Sequence, residues 1–154
     1  MKTSCEMNKN VLFDENSMGI TQESLKRLRD ILLSKSAHRI RIVEAPTGEM
    51  LAGFFIYDYD LDEWSFTGDG FRTDNGGEGG AGYNTAKVLL MGLGIWSHVD
   101  FEPNWVFPLN MLYSKEAIQQ ALNRYVGDRL DWVGQEIPFR IIETKPEYIR
   151  GQIR

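Results

Sequence analysis

The chain has 154 residues, a size that fits one domain and lets a single core bury about 70% of the surface that the unfolded chain exposes. A hydrophobic fraction of 42% with 25% charged residues excludes disordered and fibrous classes. The net charge of −5 argues against a basic surface that grips phosphates, so nucleic acid is not an expected partner.

Cys5 is the only cysteine, so no internal disulfide can form and stability must come from the core. No apolar run approaches the length of a membrane span, and residues 1–10 lack the apolar centre of a signal peptide. The cytoplasm is the expected location, with no membrane partner.

In chain order, residues 1–19 show no sustained period and are expected to be peripheral. Thr21 is placed to cap a helix. Leu25, Leu28, Ile31 and Leu32 then mark one apolar face to about residue 34, with Lys26, Arg27, Arg29 and Asp30 on the wet side. Residues 39–45 alternate as a strand with Ile40, Ile42 and Glu44 on one face and Arg41 and Val43 on the other. Residues 46–49 read as a turn. Residues 50–57 are apolar on both faces, which predicts a central strand. An acidic turn at 58–63 and a short strand at 64–67 complete a meander.

A glycine-rich loop at 68–82 follows, then a helix from about 84 to 93 with Gly94 ending it. Residues 95–101 are a candidate strand, and 102–108 contain two prolines and must be irregular. Ser114 is placed to cap a helix whose apolar face holds Ile118, Ala121, Leu122 and Tyr125, with Gly127 beyond its end. Residues 139–143 are a last candidate strand, and 145–154 a peripheral tail. The whole predicts a single α+β domain over residues 1–154, with an antiparallel β-meander of three or more strands packed with about three helices.

The segment 68–82 is the foremost candidate site. Seven of its fifteen residues are glycine, which is costly to order unless the backbone needs unusual angles or close approach. A helix start beyond it would favour anions, and Arg72 could supply a fork of donors to a phosphate or carboxylate. The pattern matches neither a P-loop nor a dinucleotide fingerprint, and Asp69, Asp74 and Glu78 oppose Arg72 within it. Phe71 and Tyr83 lie among these residues. Trp105, between Pro103 and Pro108, could add a rigid aromatic wall.

Other constellations carry less. Asp58, Asp60, Asp62 and Asp69 imitate a calcium loop, but Glu63 stands where the sharp-turn glycine belongs, so a solvated hairpin turn is expected. His38 and His98 match no nucleophile motif, and two histidines with one cysteine make no structural zinc site. No metal, cofactor or catalytic group is expected.

No motif assigns the chain to a family. The expected function is a non-catalytic intracellular binding module for a small polar or nucleotide-like ligand. Its binding residues would be Asp69, Phe71, Arg72, Asp74, Glu78, Tyr83 and Trp105. The alternative is a small protein-binding inhibitor of a host system, as phages or mobile elements make, with a host protein as partner. A small hydrolase using Asp69, Glu78 and His98 is the third reading. A homodimer is compatible with an exposed aromatic segment but not required by it.

Overall fold

The computed structural model describes residues 10–35, 39–48, 50–74, 76–93, 100–101 and 114–130. The elements are a 3-10 turn at Glu15–Ser17, α1 (Thr21–Ser34), β1 (Ile40–Gly48), β2 (Leu51–Asp58), β3 (Glu63–Phe66), β4 (Phe71–Arg72), α2 (Gly77–Gly92), β5 (Asp100–Phe101) and α3 (Lys115–Tyr125). A π-helical turn at Val126–Leu130 continues α3. The chain is α+β, as its pattern predicts. Among the described residues, no helix is long and apolar enough to cross a membrane.

The sheet order is β3-β2-β1-β5, with β4 also on β2. β1, β2 and β3 form the antiparallel meander, and β5 adds in parallel to the free side of β1. β2 is central, and seven of its eight residues are buried, which explains why its sequence is apolar on both faces.

Alternation sorts the core into two layers. Ile40, Ile42, Phe54 and Ile56 face α1 and α2, meeting Leu28, Ile31, Leu32, Ala86 and Leu90. Val43, Ala45, Phe55, Tyr57, Trp64 and Phe66 face the opposite side, where Val11, Ile118, Leu122, Tyr125 and Leu130 cover them. The sheet is therefore sandwiched between α1 with α2 on one face and α3 on the other.

The edge beside β2 has an interruption that matters for the glycine-rich segment. β3 pairs Phe66 with Phe55, and β4 pairs Phe71 with Ala52, both antiparallel. The edge strand thus advances five residues while β2 advances three. Residues 67–70 are a bulge on what is otherwise one edge strand. Thr67 keeps contact with β2 across the bulge, donating its amide to Phe54 O and accepting the Phe54 amide on its hydroxyl.

Several boundaries differ from the sequence reading. Ile20 is the N-cap of α1 and Thr21 its first helical residue, and the Thr21 hydroxyl donates to Gly70 O instead of accepting a helix amide as a cap would. Arg27 is only half-exposed rather than fully on the wet side. β1 runs on through the expected turn to Gly48, with a register irregularity between Pro46 and Gly48. The helix expected from 84 begins at Gly77, so the part of the expected loop from Gly77 to Gly82 is helical. Gly127 lies beyond the end of α3, inside the π-helical turn that continues it. The Ser114 cap is as expected, its hydroxyl accepting from the Ala117 amide at 3.1 Å. The expected strand at 139–143 and residues 95–99 lie outside the described residues.

Small residues in α2 serve helix packing. A Cβ on Gly82 would stand 2.2 Å from Cγ2 of Thr21, whose rotamer is pinned by its bond to Gly70. Gly82→Ala is expected to lower stability by about 1–3 kcal/mol through overpacking. Gly127→Ala, which meets nothing within 4 Å, should change stability by less than about 1 kcal/mol. Urea denaturation of both variants checks the contrast.

Candidate functional site

The segment expected to act as one loop divides into two parts with different tasks. The first part, Gly68-Asp69-Gly70, is the bulge on the sheet edge. It crosses the N-terminal segment so closely that a Cβ on Gly68 would lie 2.5 Å from Ser17 O, and one on Gly70 would lie 2.5 Å from the Ile20 carbonyl carbon. Gly68 also adopts φ +105°, a region closed to side chains.

Hydrogen bonds fasten this crossing. The Ser24 hydroxyl donates to Ser17 O and accepts the Gly70 amide. The Gly19 amide donates to Asp69 Oδ1 at 2.7 Å, and the Thr47 hydroxyl donates to Oδ2 at 3.2 Å. Asp69 is thereby buried to 4% exposure. Burial pushes its carboxyl above the ordinary range, and the Gly19 amide and Thr47 hydroxyl offset part of that rise. With both oxygens occupied by protein donors, Asp69 is a clasp between chain segments and is not presented to a ligand.

The second part begins α2. Gly76 is its N-cap and supplies no side-chain cap. Arg72 leaves β4 and lies across this helix start: a Cβ on Gly79 would meet Arg72 Cγ at 2.7 Å, and one on Gly76 would meet Nε at 2.8 Å. Glycine makes room for the arginine. The result sets a guanidinium at the positive end of a helix dipole, an arrangement that calls for an anion.

Asp74 is that anion. It accepts Arg72 Nε on Oδ1 at 2.9 Å and Arg72 Nη2 on Oδ2, while the Gly76 amide donates to Oδ1 at 3.0 Å. Its hydrogen bond from Arg72 and that from the Gly76 amide hold the Asp74 carboxyl down to about 2. The Arg72 side chain stays 44% exposed, so the pair faces solvent. Glu78, in the first turn of α2, is also exposed and accepts Gln22 Nε2 at 3.3 Å.

The aromatic residues go elsewhere. Phe71 is fully buried and packs edge-on against Phe54, with ring centroids 5.5 Å apart. Tyr83 stacks beside Phe54 at 6.4 Å and donates its hydroxyl to Glu44 Oε1 at 2.7 Å. Neither forms a wall beside Arg72. Of the seven expected residues, the structure joins Arg72 with Asp74 at one surface and sets Glu78 on the same helix start. Trp105, Cys5, His38 and His98 lie outside the described residues.

Sequence reasoning missed Glu44 as a site residue, though it placed the side chain on the face of Ile40 and Ile42. A carboxylate in an otherwise apolar strand face was the available signal. Burial raises the Glu44 carboxyl, and the Tyr83 hydrogen bond and the charge of Lys87 offset part of the rise. Burial and the Glu44 contact together raise the Tyr83 phenol.

The aspartates that imitate a calcium loop are otherwise engaged, and residues 59–62 make the hairpin turn between β2 and β3. Asp58 Oδ1 accepts the Asp60 and Leu61 amides, and Oδ2 meets Lys35 Nζ at 2.9 Å. Burial alone would raise Asp58, but Lys35 and those amides outweigh it and bring its carboxyl below the ordinary range. Asp60 pairs with Arg39, and Asp62 accepts the Tyr57 hydroxyl. Among the described residues, no group of His, Cys, Asp or Glu is arranged to hold a metal ion.

No protein-family model, curated protein or solved structure matches this chain.

Asp69→Ala should cost about 1–3 kcal/mol, because it leaves the Gly19 amide without its acceptor. Asp69→Asn keeps that acceptor and should cost less. Since the folded carboxyl is raised, its contribution to stability is full below the unfolded value near 3.8 and is lost as pH rises through the folded value. Chemical denaturation from pH 4 to 8 should therefore show Asp69→Asn gaining on the wild type toward higher pH.

Proposed function

We propose that this chain is a non-catalytic binding module, and that its ligand is a small anion-bearing, nucleotide-like molecule received at the N-terminus of α2. The observation that carries this reading is the position of the Asp74 carboxylate. It accepts from the Arg72 guanidinium and from the first amide of the helix start at once. A phosphate or carboxylate group of a ligand would use the same donors. Asp74 is then an internal competitor, and ligand binding is an exchange of one anion for another at Arg72.

The reading differs from the sequence expectation in its contact surface. Phe71 and Tyr83 are core residues here, and Asp69 is a clasp, so Arg72 and the amides of α2 carry the recognition. Glu78 opposes an incoming anion and tunes the affinity downward. The hydrolase reading is weakened at Asp69, whose oxygens both accept from Gly19 and Thr47.

Protein binding is the second reading, and one observation favours it. The outward side of α2 exposes Ala81, Thr85, Val88 and Met91, with Val88 and Met91 more than half exposed. An uncharged helical stripe of this kind suits a partner protein better than a small anion does.

Thermal-shift measurement against inorganic phosphate and a panel of nucleotides tests the lead reading. Wild type should gain melting temperature with at least one of them at millimolar concentration, and Asp74→Ala should gain more. Arg72→Ala should abolish the gain. No shift in either wild type or Asp74→Ala overturns the proposal in favour of the protein-binding reading.

A further inference from the structure

Glu44 is an acid held inside the layer between the sheet and α1 with α2. Its neighbours on β1 in that layer are Ile40 and Ile42, and it pairs across the sheet with Phe54 on β2 and Phe101 on β5. Glu44 is 5% exposed. From α2, the Tyr83 hydroxyl donates to Oε1 at 2.7 Å, and Lys87 one turn later holds its ammonium 5.0 Å from the Tyr83 ring centroid. α1 contributes Leu28, Ile31 and Leu32 to this layer, and β2 contributes Phe54 and Ile56, none of which ionises. Among the described residues, the titratable groups that face Glu44 are therefore Tyr83 and Lys87, both on α2.

The buried aspartates are held more fully. Asp69 accepts from an amide and a hydroxyl, and Asp58 accepts from two amides and the Lys35 ammonium. The hydrogen bond to Glu44 comes from a neutral phenol on a helix that otherwise meets the sheet through apolar side chains. Ionised, this carboxylate sits in an apolar layer with one neutral donor and the charge of Lys87 to offset its burial; protonated, it needs neither.

We propose that Glu44 is a proton-operated latch that seats α2 on the sheet: proton uptake closes the helix onto β1, and proton loss loosens it. The raised Glu44 carboxyl agrees with this geometry. By linkage, the seating free energy from this group is full below the unfolded value and falls as pH rises through the folded one. Because the Arg72 seat lies at the first turn of α2, the latch also sets the order of that seat. This last step rests on the anion-binding reading, whereas the latch itself does not.

Hydrogen exchange of the α2 amides, corrected for intrinsic rates, tests the latch between pH 5 and 8 on the full chain without ligand. In the wild type, opening of α2 should increase with pH, by about tenfold for each unit by which the carboxyl is raised. Glu44→Gln keeps an acceptor for Tyr83 and cannot ionise, so its opening should rise less with pH than that of the wild type. Tyr83→Phe and Lys87→Met each remove a group that favours the anion, so each should move the rise in opening to higher pH. Asp69 is shifted in the same direction, but it is present in every variant and cancels in the comparison. Equal pH profiles for wild type and Glu44→Gln overturn the latch. Should Glu44→Gln not fold, an unmoved rise in Tyr83→Phe and Lys87→Met overturns it instead. A thermal shift with inorganic phosphate, read in parallel, separates the two proposals: a pH-dependent α2 without any phosphate shift keeps the latch and removes the anion site.

Discussion

The crossing of residues 67–70 over residues 17–24 is the constraint on which the rest of the structure depends. It requires backbone against backbone, since side chains at 68 or 70 would collide with Ser17 and Ile20. Gly53 on β2 belongs to the same arrangement: a Cβ there would fall 2.6 Å from Gly68 O and 2.5 Å from the Phe66 ring. Once the crossing is made, Ser24, Thr21 and Asp69 can all reach donors or acceptors on the opposite segment. The N-terminal segment is held to the sheet edge, α1 starts where it does, and the edge strand resumes at Phe71.

From that point the course of the chain to the candidate site is short. Phe71 enters the core, and the next residue, Arg72, emerges on the other side of the strand. Two glycines of the following helix leave space for its stem, and Asp74 closes over its guanidinium. The site is thus a by-product of how the edge strand ends and α2 begins. Its polarity is set by the helix dipole and Arg72 together, and its occupancy by Asp74 is a balance of charge at a solvent-facing surface.

α2 links this surface to the interior. Its inward side carries Tyr83, Ala86 and Leu90, and its outward side is uncharged over Ala81, Thr85, Val88 and Met91. A helix that is apolar on several sides is held in place by packing rather than by its own amphipathic stripe. The polar contact of Tyr83 with Glu44 is then a specific fixing point between α2 and the sheet, and its strength depends on a proton.

Much of the fold was legible in the sequence because it follows from local period. Alternation in 40–44 placed Glu44 with Ile40 and Ile42, the two-sided apolarity of 50–57 marked the centre of the sheet, and the spacing of Leu28, Ile31 and Leu32 gave the buried side of α1. Ser114 capped its helix because the cap needs only residues within one turn. What the sequence could not decide were features made by contacts between distant segments. Thr21 looked like a cap and instead bonds Gly70, forty-nine residues away. The glycines at 77–82 looked like loop and are helix: glycine is disfavoured in helices by local propensity, and Gly79 and Gly82 are retained here for close approach to Arg72 and Thr21. Asp69, Phe71 and Tyr83 looked like surface residues of a loop; only the tertiary structure turned them inward, since burial is a property of what the rest of the chain brings against them. By itself the sequence determined that residues 68–82 are unusual in composition. The tertiary structure decided that they are a backbone clasp followed by a glycine-lined seat for one arginine, because the need for glycine there arises from neighbours that are remote in the chain.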